Sequence, residues 1–262
     1  MRLIKYLLVW ALFPIFLLTA CSSTALIDFQ DYQPEDLPGL TDEAGQNGVN
    51  LRLWGIHALS KEVVFLYGSF AASPGTLRSV LLRSNDGGRH WKEVMQPEMG
   101  SEITELYFLP GGQGWAVALW TVEGPGRAYL FHSDDSGSHW QRVSEFPLSG
   151  PGGNSYPSGL QFQDDRQGSV RVLSIVNLAC CRYVTHDGGL TWVKTDDCLS
   201  KDDCLLKTLN EYSLEKMSWK YRVLKSESTI KISRRSSLDG NWVEMSKLPL
   251  HYGYAQGRIV LP

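Results

Sequence analysis

Hydrophobic and polar positions alternate along most of the chain in short runs with a period of two. The runs LRLWGIHAL, VVFLYGSF, SVLLRS, ITELYFL, GWAVALW, AYLFHS, LQFQ, SVRVLSIV and CRYVTH are rich in β-branched and aromatic residues. Clusters of Gly, Pro, Asp, Asn and Ser separate them. Runs of this kind bounded by turn formers predict strands joined by hairpins, and so an all-β chain.

Three of the predicted turns share one pattern. SNDGGRHW at 84–91, SDDSGSHW at 133–140 and THDGGLTW at 185–192 all read Ser/Thr-x-Asp-x-Gly-x-x-Trp. Each sits between a β-branched run and a short return run (WKEVM, WQRVS, WVKTD), which makes it the turn of a hairpin. The hydroxyls of Ser84, Ser133 and Thr185 and the carboxylates of Asp86, Asp135 and Asp187 are short enough to bond turn amides. Gly88, Gly137 and Gly189 allow positive φ, and Trp91, Trp140 and Trp192 open the return strand with a large apolar surface. A degenerate fourth copy, SLDGNW at 237–242, places Asp239 so that the four aspartates are spaced by 49, 52 and 52 residues. Two further strand candidates precede each hairpin, and four strands per repeat of about 50 residues predict a propeller blade.

The repeated pattern resembles the Asp-box, or bacterial neuraminidase repeat. ITELYFLPGGQGWAVAL ahead of a box resembles the blades of photosystem assembly factor-like propellers. The resemblance covers residues 51–245 and implies a β-propeller of four to five four-stranded blades. Residues 22–50 and GRIVLP are candidates for a fifth, partial blade. In these families the box usually lies on the rim and is structural, so the box residues are expected to have structural roles.

The N-terminus reads as an address. Arg2 and Lys5 precede an apolar run of 13 residues, 6–18, followed by Thr19, Ala20 and Cys21. Such a run is shorter than the roughly 20 residues that span a bilayer as a helix, and the order of segments is that of a signal peptide. Leu18-Thr19-Ala20-Cys21 resembles the lipobox of bacterial lipoproteins, which implies a lipid on Cys21. Ser22, where aspartate would imply inner-membrane retention, implies the outer membrane. The expected organisation is a signal peptide at 1–20, a lipid anchor and polar tether at 21–50, and a propeller at 51–262.

Charge narrows the range of partners. Without Arg2 and Lys5 the chain carries 23 basic and 28 acidic residues, a net charge of −5 with histidine neutral. No basic patch calls for nucleic acid. Arg234-Arg235 reads as a solvated strand edge.

Besides Cys21 there are four cysteines, Cys180, Cys181, Cys198 and Cys204. Their spacing is not the paired C-x-x-C of a zinc site, and an exported chain meets an oxidising compartment, so two disulfides are expected. Counting across the turn with Thr185 opposite Trp192 puts Cys180 opposite Asp197, next to Cys198. Neighbouring strand residues point to opposite faces, so Cys180 and Cys181 should take different partners from Cys198 and Cys204. The competing pattern is a vicinal bridge with a Cys198–Cys204 loop.

The resemblance raises the question of a sialidase. That site, as known for the family, needs an arginine triad, a tyrosine with a carboxylate partner and a Phe/Tyr-Arg-Ile-Pro motif. LRLW at 51–54 is the nearest approach and lacks the proline. The adjacent pairs Asp134-Asp135, Asp164-Asp165, Asp196-Asp197 and Asp202-Asp203 cannot face each other across a sugar and read as solvated turns. His90, His139 and His186 fall in boxes on different blades, poorly placed to share a metal. The sequence is therefore read as a non-enzymatic, lipid-anchored scaffold with no catalytic residue, cofactor or metal, binding a protein partner in the envelope, either an assembly client or a toxin it neutralises. The alternative is a carbohydrate-active, sialidase-like enzyme or a glycan-binding module. Partner binding is expected at the long loops opposite the boxes, with Trp120, Arg127 and Tyr156 as candidate anchors.

Overall fold

A computed structural model describes residues 27–29, 48–72, 75–96, 98–121, 127–146, 155–174, 179–200, 220–236, 240–255 and 258–260. Within them every regular element is a strand, as the alternating pattern requires. After β1 (Ile27–Asp28), the first sheet holds β2 (Val49–Ala58), β3 (Val64–Ala72), β4 (Gly75–Ser84) and β5 (Trp91–Glu93). The second holds β6 (Ser101–Phe108), β7 (Gly114–Trp120), β8 (Ala128–Ser133) and β9 (Gln141–Glu145). The third holds β10 (Ser155–Phe162), β11 (Gly168–Ser174), β12 (Ala179–Thr185) and β13 (Val193–Ser200). The fourth holds β14 (Lys220–Lys225), β15 (Thr229–Arg235) and β16 (Val243–Pro249), and the chain continues through β17 (His251–Ala255) and β18 (Arg258–Val260). Within each sheet consecutive strands pair antiparallel, and the four sheets are the blades of a β-propeller.

The expected fifth, partial blade is not formed by the described residues. Ile27 instead pairs parallel with Trp91 at the outer edge of the first blade. β17 pairs with β2 through His251–Asn50 and Tyr252–Val49, and β18 pairs with β17. The two segments thus widen the first blade to seven strands. The physical reason is that a free edge presents unpaired N–H and C=O groups, and a short strand laid along it satisfies them. Residues 27 and 28, assigned by sequence to the tether, are therefore strand, and β2 begins two residues before the expected domain start.

Apolar side chains fill the gaps between blades. Val49, Leu66 and Phe70 of the first blade pack with Ile230, Ile232 and Leu248 of the fourth. Phe65 and Leu81 of the first pack with Ile103, Leu106 and Phe131 of the second. Trp115 and Leu130 of the second pack with Leu160, Phe162 and Val172 of the third. A middle strand is covered on both faces, which explains why GWAVALW is apolar at odd and even positions alike and buried along nearly all its length.

The repeated turns repeat this contact. Gly88 lies against Ile232 and Met245 of the fourth blade. A Cβ at Gly137 would come within 2.5 Å of Phe65 Cζ in the first blade, and one at Gly189 would overlap Leu130 in the second. Each turn therefore docks on the preceding blade, and for the first blade the preceding one is the fourth. Trp91 adds a bond across the same seam, its Nε1 donating to Ser246 Oγ at 3.1 Å.

Cys181 is bonded to Cys198. Counting across the turn holds for Tyr183–Lys194 and Val184–Val193, but a bulge between Cys181 and Tyr183 moves the register by two residues. Cys198 therefore faces Cys181, while Cys180 faces Leu199, and the expected position of Cys180 opposite Asp197 is corrected. Cys180 is also disulfide-bonded. Its partner and Cys204 lie outside the described residues, as does Cys21.

Candidate functional site

The turn residues form closed hydrogen-bonding units. In the first, Ser84 Oγ donates to Asp86 Oδ1 and accepts from Gly88 N, both at 2.8 Å. Asp86 Oδ1 also accepts from the amides of Arg89 and His90 at 3.0 Å, and Oδ2 meets His90 Nδ1 at 2.5 Å. The second turn repeats every bond with Ser133, Asp135, Gly137, Ser138 and His139. The third substitutes Thr191, whose hydroxyl donates to Asp187 Oδ2 at 2.5 Å. Gly87, Ser136 and Gly188 adopt φ of 73°, 59° and 76°. Their amides donate to Glu62, Gly112 and Arg166 in the loop joining the first two strands of the same blade.

These bonds set the charge state. Burial pushes the Asp86 carboxyl up, but bonds from His90, Ser84 and Arg89 outweigh it and bring the pKa down to about 2. Hydrogen bonds from Thr191 foremost bring Asp187 to about 2, and at Asp135 burial is the largest single effect and raises the pKa, but the bonds from His139, Ser133 and Ser138 together hold it below the usual carboxylate range. The three carboxylates are ionised at neutral pH with their oxygens engaged inside the turn, which leaves them no role as acid or base. Among the described residues, no group of three His, Cys, Asp or Glu side chains is placed to hold a metal ion.

The candidate partner residues lie at the end of the blades opposite these turns. Trp120 is partly buried against the core between the first and second blades, and its amide donates to Arg127 O at 2.7 Å. Arg127 is exposed beside Glu145 at 3.7 Å. Tyr156 is exposed on the third blade. Residues 122–126 and 147–154 of the intervening loops lie outside the described residues. Two surface assignments are corrected. Asp196 and Asp197 lie on β13 rather than in a turn, and Asp197 pairs with the buried Arg171 at 3.0 Å. Arg234 and Arg235 are partly buried, and the Arg234 guanidinium is bonded to Lys61 O of the first blade.

The first strands supply a cluster that sequence reasoning missed. β2, β6 and β10 adjoin one another, and each carries a bulge, at Leu53–Gly55, Ile103–Glu105 and Ser158–Gln161. A bulge re-aims side chains out of the regular alternation. Trp54 at the first bulge is 57% exposed, yet its Nε1 donates to Glu102 Oε2 of the second blade at 2.9 Å. Glu105 at the second bulge reaches the third blade, where its Oε2 accepts from Leu160 N at 3.3 Å. Gly55 is glycine because the Tyr67 hydroxyl occupies the space a Cβ would need. Burial first, and then the charge of Glu105, push the Tyr67 phenol above its ordinary pKa, so it stays protonated. Arg52 is exposed on the same strand, two residues before Trp54.

The cluster thus offers a flat apolar indole, two buried carboxylates and a protonated phenol. A ligand with apolar C–H faces and many hydroxyls would use all of them. The available signal was two glutamates inside the otherwise apolar run ITELYFL, and a glycine interrupting LRLWGIHAL. Neither glutamate has a second carboxylate beside it in the chain to mark it.

No family model matches the chain, and no curated protein matches it. Among solved structures it is similar to an α-L-arabinofuranosidase from Fusarium graminearum, with 13% identity and a TM-score of 0.41 over 85% of this chain and 71% of that one. It is similar to a Hadza microbial sialidase, with 15% identity and a TM-score of 0.41 over 83% of this chain and 48% of that one. It is also similar to a polysaccharide lyase, an ulvanlyase, with 11% identity and a TM-score of 0.41 over 87% and 55%. The chain thus spans about half the length of the sialidase and the lyase. The likeness is of fold, a sialidase-like β-propeller, and the expectation of a non-enzyme is corrected: the arabinofuranosidase, the sialidase and the lyase named above are enzymes with a similar fold, so the fold by itself does not exclude catalysis.

Proposed function

We propose that the chain is a carbohydrate-recognising β-propeller whose glycan sits on the cluster around Trp54. The observation that carries this reading is a tryptophan more than half exposed whose single polar atom is already engaged by a buried carboxylate. The Glu102 bond holds the ring in one orientation before any ligand arrives, so little entropy is lost when a sugar face stacks on it. The other lone pairs of Glu102 and the Tyr67 hydroxyl then meet sugar hydroxyls. A second observation favours turnover of the bound glycan: Glu102 and Glu105 are both buried on one strand, and the Tyr67 phenol lies within the field of Glu105. Glycoside cleavage uses two carboxyl groups that flank the scissile bond.

The test is retention of the protein on immobilised oligosaccharides, followed by titration with those retained. Trp54→Ala is expected to weaken binding by about ten-fold or more without moving the thermal transition. Release of new reducing ends, abolished by Glu105→Gln, would support turnover. Failure to retain any oligosaccharide, or equal binding by Trp54→Ala, would show the reading to be wrong.

We further propose that a lipid on Cys21 holds this domain at the cell envelope, on the strength of the LTAC motif. Cys21→Ser is expected to move the protein to the soluble envelope fraction and abolish acyl labelling. Unchanged labelling would refute the anchor.

A further inference from the structure

A second site lies at the end of the propeller that carries the repeated turns. Between the turn at 84–91 and the fourth blade is a cleft of about 410 Å³, lined chiefly by Lys61, Arg89, Arg234, Arg235, Asn241 and Met245. Among the described residues of its lining, every charged one is a cation. That is unusual in a chain with 28 acidic and 25 basic residues. The four cations come from three places: Lys61 from the loop after β2, Arg89 from the turn, and Arg234 and Arg235 from the end of β15.

Like charges can gather here because neutral groups orient them. Arg89 Nη1 donates to Asp86 O at 3.0 Å, and Arg234 Nη1 donates to Lys61 O at 3.1 Å. The Tyr221 hydroxyl donates to the same Lys61 carbonyl at 2.7 Å. The Arg235 guanidinium lies 4.8 Å from the Trp242 ring, whose neighbour Arg222 lies at 4.3 Å. A carbonyl fixes a guanidinium without cancelling its charge, so Arg89 and Arg234 keep theirs. Among the described residues no carboxylate is within ion-pair distance of Lys61, Arg89 or Arg234. Gly87 is part of the construction. A Cβ there would come within 2.5 Å of Arg234 Nη1 and 3.0 Å of Lys61 O, so glycine leaves the path by which Arg234 crosses from the fourth blade to the first.

The guanidiniums of Arg89 and Arg234 and the Lys61 ammonium together exceed what one carboxylate would balance. A phosphate monoester carries close to two negative charges at neutral pH and three acceptor oxygens, and arginine forks match it in pairs. We infer that this cleft binds a phosphate monoester, either on a small sugar or displayed on a glycan. It shares no residue with the Trp54 cluster and does not rest on the reading given to that cluster.

Calorimetric titration of the protein with glucose 6-phosphate at low ionic strength tests it, with glucose and glucuronate as comparators. The expected result is saturable binding of glucose 6-phosphate, weaker binding of glucuronate and none of glucose through this cleft. Arg234→Gln and Arg89→Gln should each weaken glucose 6-phosphate by about ten-fold, the loss expected for a charge-assisted bond. Arg234→Lys, which keeps the charge but not the fork, should fall between. The remote exposed cation change Lys225→Gln should have no effect. Should Arg234→Gln fold poorly, the exposed Arg89 carries the test. A phosphorylated mannan that competes better than its phosphate content predicts would place the ester on a glycan, and equal potency would place it on a small molecule. No saturable binding of glucose 6-phosphate, undiminished affinity in Arg89→Gln, tighter binding of glucuronate, or tighter binding of a short oligonucleotide would each overturn the inference.

Discussion

Replacing Trp115 with alanine is expected to cost about 3–5 kcal/mol of stability, the range for truncating a buried aromatic. Trp115 is fully buried at the seam between the second and third blades. Its ring stacks on Phe162 with centroids 3.8 Å apart, and His132 lies at 4.9 Å. Its Nε1 donates to Gly188 O in the third turn at 3.3 Å. Alanine removes the stack, opens a cavity between two blades and frees the carbonyl that positions that turn. Trp115→Phe keeps a ring against Phe162 and loses only the bond and part of the area, so it should recover most of the loss. Urea unfolding checks both variants, through a fall in midpoint at unchanged slope. A loss below about 1 kcal/mol for alanine, smaller than ordinary core truncations give, would mean that this seam does not hold the two blades together.

Glu93→Ala is expected to be comparably damaging for a different reason. Arg78 Nη1 meets Glu93 Oε1 at 2.5 Å, with both side chains buried inside the first blade. The guanidinium also lies 4.9 Å from the Phe70 ring. Removing one member of a buried pair takes away a counter-charge where water does not replace it, a cost of about 3–5 kcal/mol. Replacing both members with apolar residues of similar volume removes the charge problem altogether and is often near neutral. The double variant Arg78→Met/Glu93→Leu should therefore be more stable than Glu93→Ala alone. Chemical denaturation of the two side by side decides it. Equal destabilisation would show that lost packing, not the lost counter-charge, sets the cost.

What the sequence alone determined is what is encoded over a few residues. The turns are legible because the side chains of Ser84 and Asp86 bond to partners within four residues of themselves. The same holds at Ser133 and Thr185. Alternation placed the strands for the same reason, since facing in or out is a property of successive positions. Repetition of the turn at a fixed spacing then implied stacked blades.

The tertiary structure decided whatever depends on partners far along the chain. Trp54 and Glu102 meet across 48 residues, and Glu105 and Leu160 across 55. Arg234 reaches a carbonyl 173 residues away. In the sequence, Glu102 and Glu105 are two polar letters in an apolar run and Arg234-Arg235 is two charges at a strand end; none of these has a local partner to mark it. The pairing of Cys181 rather than Cys180 with Cys198 rested on one bulge, which shifts register without changing the residue pattern. The capture of β1 and β17 by the first blade followed from which sheet edges lay open beside them. Local hydrogen bonding can be read from neighbouring residues. Packing between blades depends on which residues the closed ring brings face to face, and their order along the chain does not record it.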